Sequence, residues 1–293
     1  MPTRGEARAT ATERLRALGA PTPGLDADVL LAHVLGLSKE AIVAHPEVAV
    51  DTATARRYDE LIERRGAGVP VAYLRGFKEF YGLRFTVDER VLVPRPETEL
   101  LVDAVRAHVG GRSLTVVDLG TGSGAIAVAL AATEPALRVI AVDVSRDALD
   151  VARINAVANR ATVQFRAGDL LGPITERVDV VVANLPYLRE DEPADLTGDR
   201  ASLAYEPRLA TFAGADGLAL VRRAIADLPR VLAPGGAAFF ECDPPQVAAV
   251  SMLLAPIGTV DVLRDLAGLQ RVVRVVREVG PAAGIRRRQL PAD

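Results

Sequence analysis

Asn184-Leu185-Pro186-Tyr187 closes the short apolar, β-branched run at residues 179–183. A run of that kind suits a strand buried on both faces. The tetrapeptide then falls at the strand's carboxyl end, where open α/β sheets place their ligands. Pro186 fixes its own φ and has no N–H, and it pushes Leu185 into an extended shape. The carbonyls here are therefore not consumed by a helix. Asn184 adds a side-chain carbonyl and Tyr187 a flat ring, a set that suits a planar –NH2 group. Taken alone, the tetrapeptide reads equally well as a strand-to-loop turn in which Asn184 caps its neighbours.

A second chemical stretch is Asp118-Leu119-Gly120-Thr121-Gly122-Ser123-Gly124, after another apolar run and before a helical one. Glycines permit positive φ and let a ligand lie against the backbone, and a helix N-terminus adds free N–H groups. The glycines do not have the G-x-G-x-x-G spacing of a nicotinamide site. Asp118 is awkward beside a pyrophosphate and welcome beside a sulfonium. Asp143 ends the next strand, where such folds bind ribose hydroxyls. Gly168-Asp169-Leu170 follows the third and suits an adenine ring. Asp143 alone is also readable as a helix cap, and Asp169 as a turn residue. In series they point to S-adenosyl-L-methionine rather than NAD.

The elements that must position these residues alternate. Strands are expected at residues 114–118, 138–143, 162–165, 179–183 and 237–241, with helices at 123–132, 147–157 and 216–232. That order argues for a doubly wound, Rossmann-like parallel α/β sheet, with residues 260–264 and 269–276 as a closing pair of strands. Residues 94–99, Pro-Arg-Pro-Glu-Thr-Glu, start a helix running to about 109; Arg95 sits between two prolines, a stiff mount for a cation. Residues 5–65 read as helices, with Leu30, Leu31, Val34 and Leu35 on one side of the second. Gly82 between β-formers suggests a hairpin. The expected units are a small N-terminal helical bundle at 1–68, a β-hairpin linker at 69–93, a methyltransferase domain at 94–280 and a loose tail at 281–293.

Hydrophobic residues make up 49% of the 293, ample for a core. A net charge of −3 argues against a dedicated nucleic-acid coat. One cysteine, Cys242, excludes an internal disulfide and fits a reducing cytosol. Residues 1–20 lack the apolar region of a signal peptide, no run is long enough to cross a bilayer, and the three histidines do not form a metal-ligand set. A cytoplasmic protein without a metal, a membrane partner or direct nucleic-acid contact is the expectation.

With Asp118–Gly124 and Asp143 the chain resembles class I S-adenosylmethionine-dependent methyltransferases. Asn184–Tyr187 is similar to the (N/D)-(P/L)-P-Y motif of those that methylate planar amino groups. Residues 94–99, residues 70–85, Tyr205-Glu206-Pro207-Arg208-Leu209-Ala210, residues 232–236 and Asp265-Leu266-Ala267-Gly268 resemble, in order, the release factor glutamine methyltransferases, the PrmC/HemK family. The resemblance implies that the helical front helps to hold class I peptide-chain release factors, and that the product is N5-methylglutamine in their Gly-Gly-Gln loop. It places Asn184, Leu185, Pro186 and Tyr187 at the reacting amide. It assigns the cofactor to Asp118, Gly120, Thr121, Gly122, Ser123, Gly124, Asp143, Asp169, Leu170 and Asn184, with Arg95 and Glu99 as candidates for orienting cofactor or substrate loop.

Two departures stand out. Leu185 replaces the family's usual proline, and Asn-Leu-Pro-Tyr is the form typical of rRNA adenine dimethyltransferases, so an adenine-N6 methyltransferase acting on rRNA or DNA is the first alternative. A non-catalytic cofactor-binding scaffold is the second. Glu241-Cys242-Asp243-Pro244-Pro245-Gln246 stands where the family tends to have glycine, and the sequence offers no physical account of it.

Overall fold

The computed structural model describes residues 1–189 and 198–279; the expected tail at 281–293 lies outside the described residues. The chain opens with four helices, α1 (Arg4–Ala17), α2 (Pro23–Leu35), α3 (Lys39–Ala44) and α4 (Thr52–Gly66). Their starts follow from the sequence. Thr3 and Glu6 form a capping box, and the Ser38 and Asp51 side chains accept from Ala41 N and Thr54 N. Leu15, Leu30, Leu31, Tyr58 and Ile62 fill the space between them. Within this small core lies an ion pair, Arg65 Nε to Asp26 Oδ2 at 2.7 Å, with both side chains under 10% exposed.

A one-turn helix α5 (Val71–Arg75) leads into the hairpin β1 (Phe77–Phe80) and β2 (Leu83–Thr86), with Tyr81 and Gly82 at the turn in left-handed φ. The stretch read as a hairpin linker thus also carries a helix. Its Leu74 packs into the helical front, while Ala72, Phe80 and Phe85 pack against the sheet layer. Residues 96–98 form a single 3-10 turn, and α6 (Glu99–Val109) continues from it.

Then follow β3 (Thr115–Leu119), α7 (Ala125–Thr133), β4 (Arg138–Asp143), α8 (Arg146–Ala158), β5 (Val163–Ala167), β6 (Val178–Ala183), α9 (Ala219–Val231), β7 (Leu232–Glu241), α10 (Val247–Leu254), β8 (Gly258–Arg264) and β9 (Gln270–Arg277). The sheet order is β5-β4-β3-β6-β7-β9-β8. The five strands from β5 to β7 are parallel, and apolar layers on the two faces bury them all except the half-exposed edge strand β5. The expected doubly wound α/β sheet is present, and it is mixed rather than wholly parallel. β8 and β9 are joined by a short turn, which permits only antiparallel pairing, and β9 inserts antiparallel beside β7.

β7 begins five residues earlier than expected. Pro234 and Gly235 read as breakers, and the register between β6 and β7 shifts to accommodate them. Helix α7 begins later than expected, because residues 122–124 are spent on the glycine turn.

Removing one member of a buried ion pair leaves an uncompensated charge, at a cost of about 3–5 kcal/mol. Asp26→Ala is expected to lower unfolding stability by that order, read as a shift of the urea midpoint of the transition that reports on the helical front. An unchanged midpoint would show that Arg65 finds another partner.

Candidate active site

β3, β4 and β6 end side by side, with Leu119 opposite both Val142 and Ala183. This register gathers the glycine turn, Asp143 and the Asn184 tetrapeptide at one edge of the sheet. Two cavities open there. One, of about 310 Å³, is lined by Gly120, Gly122, Asp143, Asp169, Leu170 and Asn184. The other, of about 510 Å³, has Arg95, Glu97, Tyr187, Asp243 and Arg271 in its wall. Asn184, Leu185 and Pro186 line both and form the partition between them.

The glycine turn is built by backbone demand. Gly120 has φ +65°, and a Cβ there would stand 3.0 Å from Leu185 Cδ2, so the turn and the tetrapeptide touch with no room for a side chain. The Gly122 N–H donates to Asp143 Oδ2 and the Ser145 N–H to Oδ1, each at 2.9 Å. Asp143 thus braces both the turn and the start of α8. Each of its oxygens keeps a second lone pair for a hydroxyl. Burial pushes its carboxyl above the usual range, against the pull of those N–H groups.

Asp118 does not stand on the cavity wall. The sequence reading sets it beside a cation; in the structure it lies fully buried beneath the turn. Its Oδ2 accepts from the Thr121 hydroxyl at 2.6 Å and the Ala127 N–H at 3.2 Å. The first turn of α7 needs such an acceptor. Oδ1 has no partner among the described residues. Burial pushes the carboxyl up to about 7. Thr121 and Ser123 are buried too, and with Gly124 they shape the turn without lining either cavity.

At the far end of the smaller cavity, Leu170 holds φ +47°, strained for a leucine. No described group accepts from its N–H. The neighbouring Asp169 carboxylate pairs with the Arg223 guanidinium. An acceptor and a donor side by side complement the edge of an adenine ring.

The tetrapeptide is held from behind. Asn184 Nδ2 donates to Thr98 Oγ1 and to Glu241 Oε1, each at 3.0 Å. Both amide hydrogens are thereby used on the protein side, and no described group donates to Oδ1 or to the Leu185 carbonyl. Both acceptors belong to the partition between the two cavities. Gln246 Nε2 donates to the Tyr187 carbonyl at 3.0 Å. Gly217 packs so closely behind it that a Cβ would lie 2.1 Å from that oxygen. Burial pushes the Tyr187 hydroxyl up to about 12, so the ring is neutral at ordinary pH.

Arg95 pairs with Glu206 at 2.5 Å, and Glu206 also accepts from the Val93 N–H at 3.0 Å. Arg95 therefore keeps a place on the larger cavity but is tied to the Tyr205–Ala210 segment. Glu99 is not at either cavity: its Oε1 accepts from the Tyr81 N–H at 2.7 Å and anchors the hairpin to α6. Sequence reasoning missed Thr98, Asn155, Glu206 and Glu241. Buried Asn155 spans from the hairpin to the glycine turn, accepting from Thr86 N and donating to Thr86 O and Ser123 O. Thr98 and Glu206 lay in stretches that carry the family resemblance and Glu241 was a carboxylate at the end of a core strand, whereas Asn155 carried no signal.

Comparison with known proteins fits this geometry. Residues 6–76 match the family model described as PrmC N-terminal domain, and residues 96–200 match the methyltransferase small domain. The chain is 43% identical to the release factor glutamine methyltransferase of Burkholderia pseudomallei, over 90% of this chain and 94% of that one. It is 40% identical to that of Deinococcus radiodurans, over 92% and 97%. A methyltransferase structure from Pyrococcus furiosus shares the fold, with a TM-score of 0.52 at 15% identity over 75% of this chain and 98% of that one.

The cofactor is S-adenosyl-L-methionine, and the smaller cavity fits it: Gly120 and Gly122 give close backbone approach, Asp143 has spare lone pairs for hydroxyls, and Asp169 with Leu170 complements adenine. Gly120→Ala adds left-handed strain of about 1–2 kcal/mol as well as the contact with Leu185. It is expected to weaken cofactor binding about tenfold in a calorimetric titration. Unaltered affinity would mean that the turn does not touch the ligand.

Proposed function

The chain belongs to the release factor glutamine methyltransferases, and we infer from this, together with the geometry of the partition, that it methylates the glutamine side-chain amide in the Gly-Gly-Gln loop of class I peptide-chain release factors. The observation that carries the reading is the orientation of Asn184. With both Nδ2 hydrogens taken by Thr98 and Glu241, the side-chain carbonyl is left to the substrate, beside the Leu185 carbonyl.

A glutamine amide offers two N–H donors and a nitrogen whose lone pair is conjugated. That conjugation is strong, with a rotation barrier of about 18–20 kcal/mol for a related peptide bond. Two fixed acceptors, one for each hydrogen, favour a pyramidal nitrogen with its lone pair turned toward the smaller cavity. S-adenosyl-L-methionine, when bound, supplies a methyl group activated by a cationic sulfur. Tyr187 bounds the larger cavity, where its ring can lie against the amide plane. Being neutral, Tyr187 serves as a surface rather than a base. The nitrogen is cationic after transfer and loses its proton readily to water, so these residues contribute position and polarity.

The glutamine-bearing loop enters through the larger cavity. Residues 1–68 and the hairpin at 69–93 form the docking side for the release factor, and residues 94–280 the methyltransferase unit. The Tyr205 hydroxyl donates to the Ala67 carbonyl at 2.6 Å and joins the front to the catalytic side. A cytoplasmic location accords with such a substrate. No helix among the described residues is long and apolar enough to cross a membrane. The family assignment disfavours both alternatives, the nucleic-acid adenine methyltransferase and the scaffold.

Labelled methyl from S-adenosyl-L-methionine is expected on a purified class I release factor and not on its Gly-Gly-Ala variant or on bare rRNA. Asn184→Ala is expected to lower turnover by about 10²–10³ at saturating cofactor, the cost of one oriented hydrogen-bonding group. Label on rRNA alone would overturn the substrate; full turnover in the variant would overturn the role of Asn184.

A further inference from the structure

Glu241 ends β7 and lines neither of the two cavities, yet its carboxylate is almost completely buried. Relative exposure of the residue is 3%. Its Oε1 accepts from Asn184 Nδ2 at 3.0 Å, and its Oε2 has no hydrogen-bond partner among the described residues. A carboxylate in such a place is costly unless paired. Arg271, on β9, acts on it only through its field. The bland account, a carboxylate balanced by a local ion pair, therefore does not hold.

We propose that Glu241 is a positioning residue for methyl transfer: its carboxylate, an acceptor only, holds the Asn184 amide with Nδ2 inward and Oδ1 at the partition.

An ionised carboxylate can accept hydrogen bonds and cannot donate them. It has no hydrogen to donate, so it can meet only the NH2 end of an asparagine. The Thr98 hydroxyl both donates and accepts and would tolerate either orientation of the amide. Glu241 therefore decides the matter. An asparagine turned over would present hydrogens to the substrate's own hydrogens, and the acceptor at the reacting amide would be lost. This role rests on the reading of Asn184 given above.

A protonated Glu241 could instead donate to Oδ1 and turn the asparagine. Burial, with help from the Glu97 charge on the 3-10 turn, pushes this carboxyl up to about 7. Thr98, Arg271 and Asn184 hold it down. Cys242 and Asp243, just past the end of β7, and Tyr187 are the other titratable groups beside it. Cys242 itself is pushed up to about 12 by burial, so it stays a neutral thiol. Turnover is expected to rise as pH passes through the neutral range and Glu241 ionises.

Glu241→Gln tests this with little change of shape, because an amide can meet Asn184 with either end. Turnover on the release factor is expected to fall about 10–100-fold, the usual cost of losing a group that orients a functional one. KM for S-adenosyl-L-methionine should be unchanged, and the acid limb of the turnover–pH profile should be gone. Glu241→Ala should lose as much or more. Combining either with Asn184→Ala should cost little beyond Asn184→Ala alone.

A substrate-free readout accompanies these. In the wild-type chain the Asn184 side-chain ¹⁵N-amide signals should be protected from exchange and should titrate near neutral pH, and in Glu241→Gln that titration should vanish. A folded, cofactor-binding Glu241→Gln with wild-type turnover and pH profile would overturn the proposal. So would Asn184 signals indifferent to Glu241. If the wild type fails to label the release factor while the Asn184 signals follow Glu241, the substrate reading has failed and the positioning has not.

Discussion

Asn184 has four hydrogen-bonding positions, and the structure satisfies only the two on its nitrogen. Much of the domain follows from keeping that asymmetry. Glu241 must reach Asn184 from β7, so β6 and β7 must be adjacent and parallel, with Ala183 opposite Phe240. Thr98 must reach it from the other side, so the turn at residues 96–98 must cross the end of the sheet. That turn leads directly into α6, whose Glu99 holds the hairpin through Tyr81. Cavity-lining acceptors, sheet order and the linker to the helical front are thus joined by a few hydrogen bonds around one amide.

The strand ends collect carboxylates, and each is handled differently. Asp143 is satisfied by backbone N–H groups and keeps spare lone pairs toward the smaller cavity. Asp118 is sealed under the glycine turn and serves the start of α7. Glu241 is sealed behind the tetrapeptide and serves Asn184. Burial raises the pKa of all three, which places two of them close to neutrality. Of these, Asp143 lines the smaller of the two cavities at the strand ends, and Asp118 and Glu241 line neither. A raised carboxyl here marks support of the site as often as contact with a ligand.

The alternation of apolar runs and helical stretches made the sheet and its order of elements legible, because buried parallel strands are continuous β-branched runs. The residues that line the smaller cavity were legible for the same reason: a cavity at the strand ends is walled by residues that end or follow the strands, as Gly120, Asp143, Asp169 and Asn184 do. What stands behind them was not. Thr98 and Glu241 lie 86 and 57 residues from Asn184 in the chain, and Glu206 lies 111 from Arg95. No local pattern encodes such pairings; only the register of the strands does. The segment Glu241–Gln246 had no account in the sequence for this reason. In the fold its first residue holds Asn184 and its last holds the Tyr187 carbonyl. Asp118 misled in the opposite way: its place before the glycines suggested a ligand contact, whereas the N–H groups opening α7 claimed it.

Leu185 is the departure that lies on the partition between the two cavities, and the packing explains why it is tolerated. The acceptor at this position is a backbone carbonyl, which any residue provides. The extended backbone that aims it is imposed by the following residue, Pro186. What changes with leucine is the side chain, which is 3% exposed and packs with Leu171, Ile174, Leu218 and Val221. It also fills the space against Gly120, where a Cβ would be only 3.0 Å away. A proline ring is shorter and would leave part of that space empty, at the cost of a cavity in a close-packed layer. Leucine at 185 is therefore a packing choice on the protein side of the partition. The two acceptors presented on the substrate side stay the same, and the shared tetrapeptide with adenine methyltransferases reflects a shared need for acceptors around an –NH2 group rather than a shared substrate.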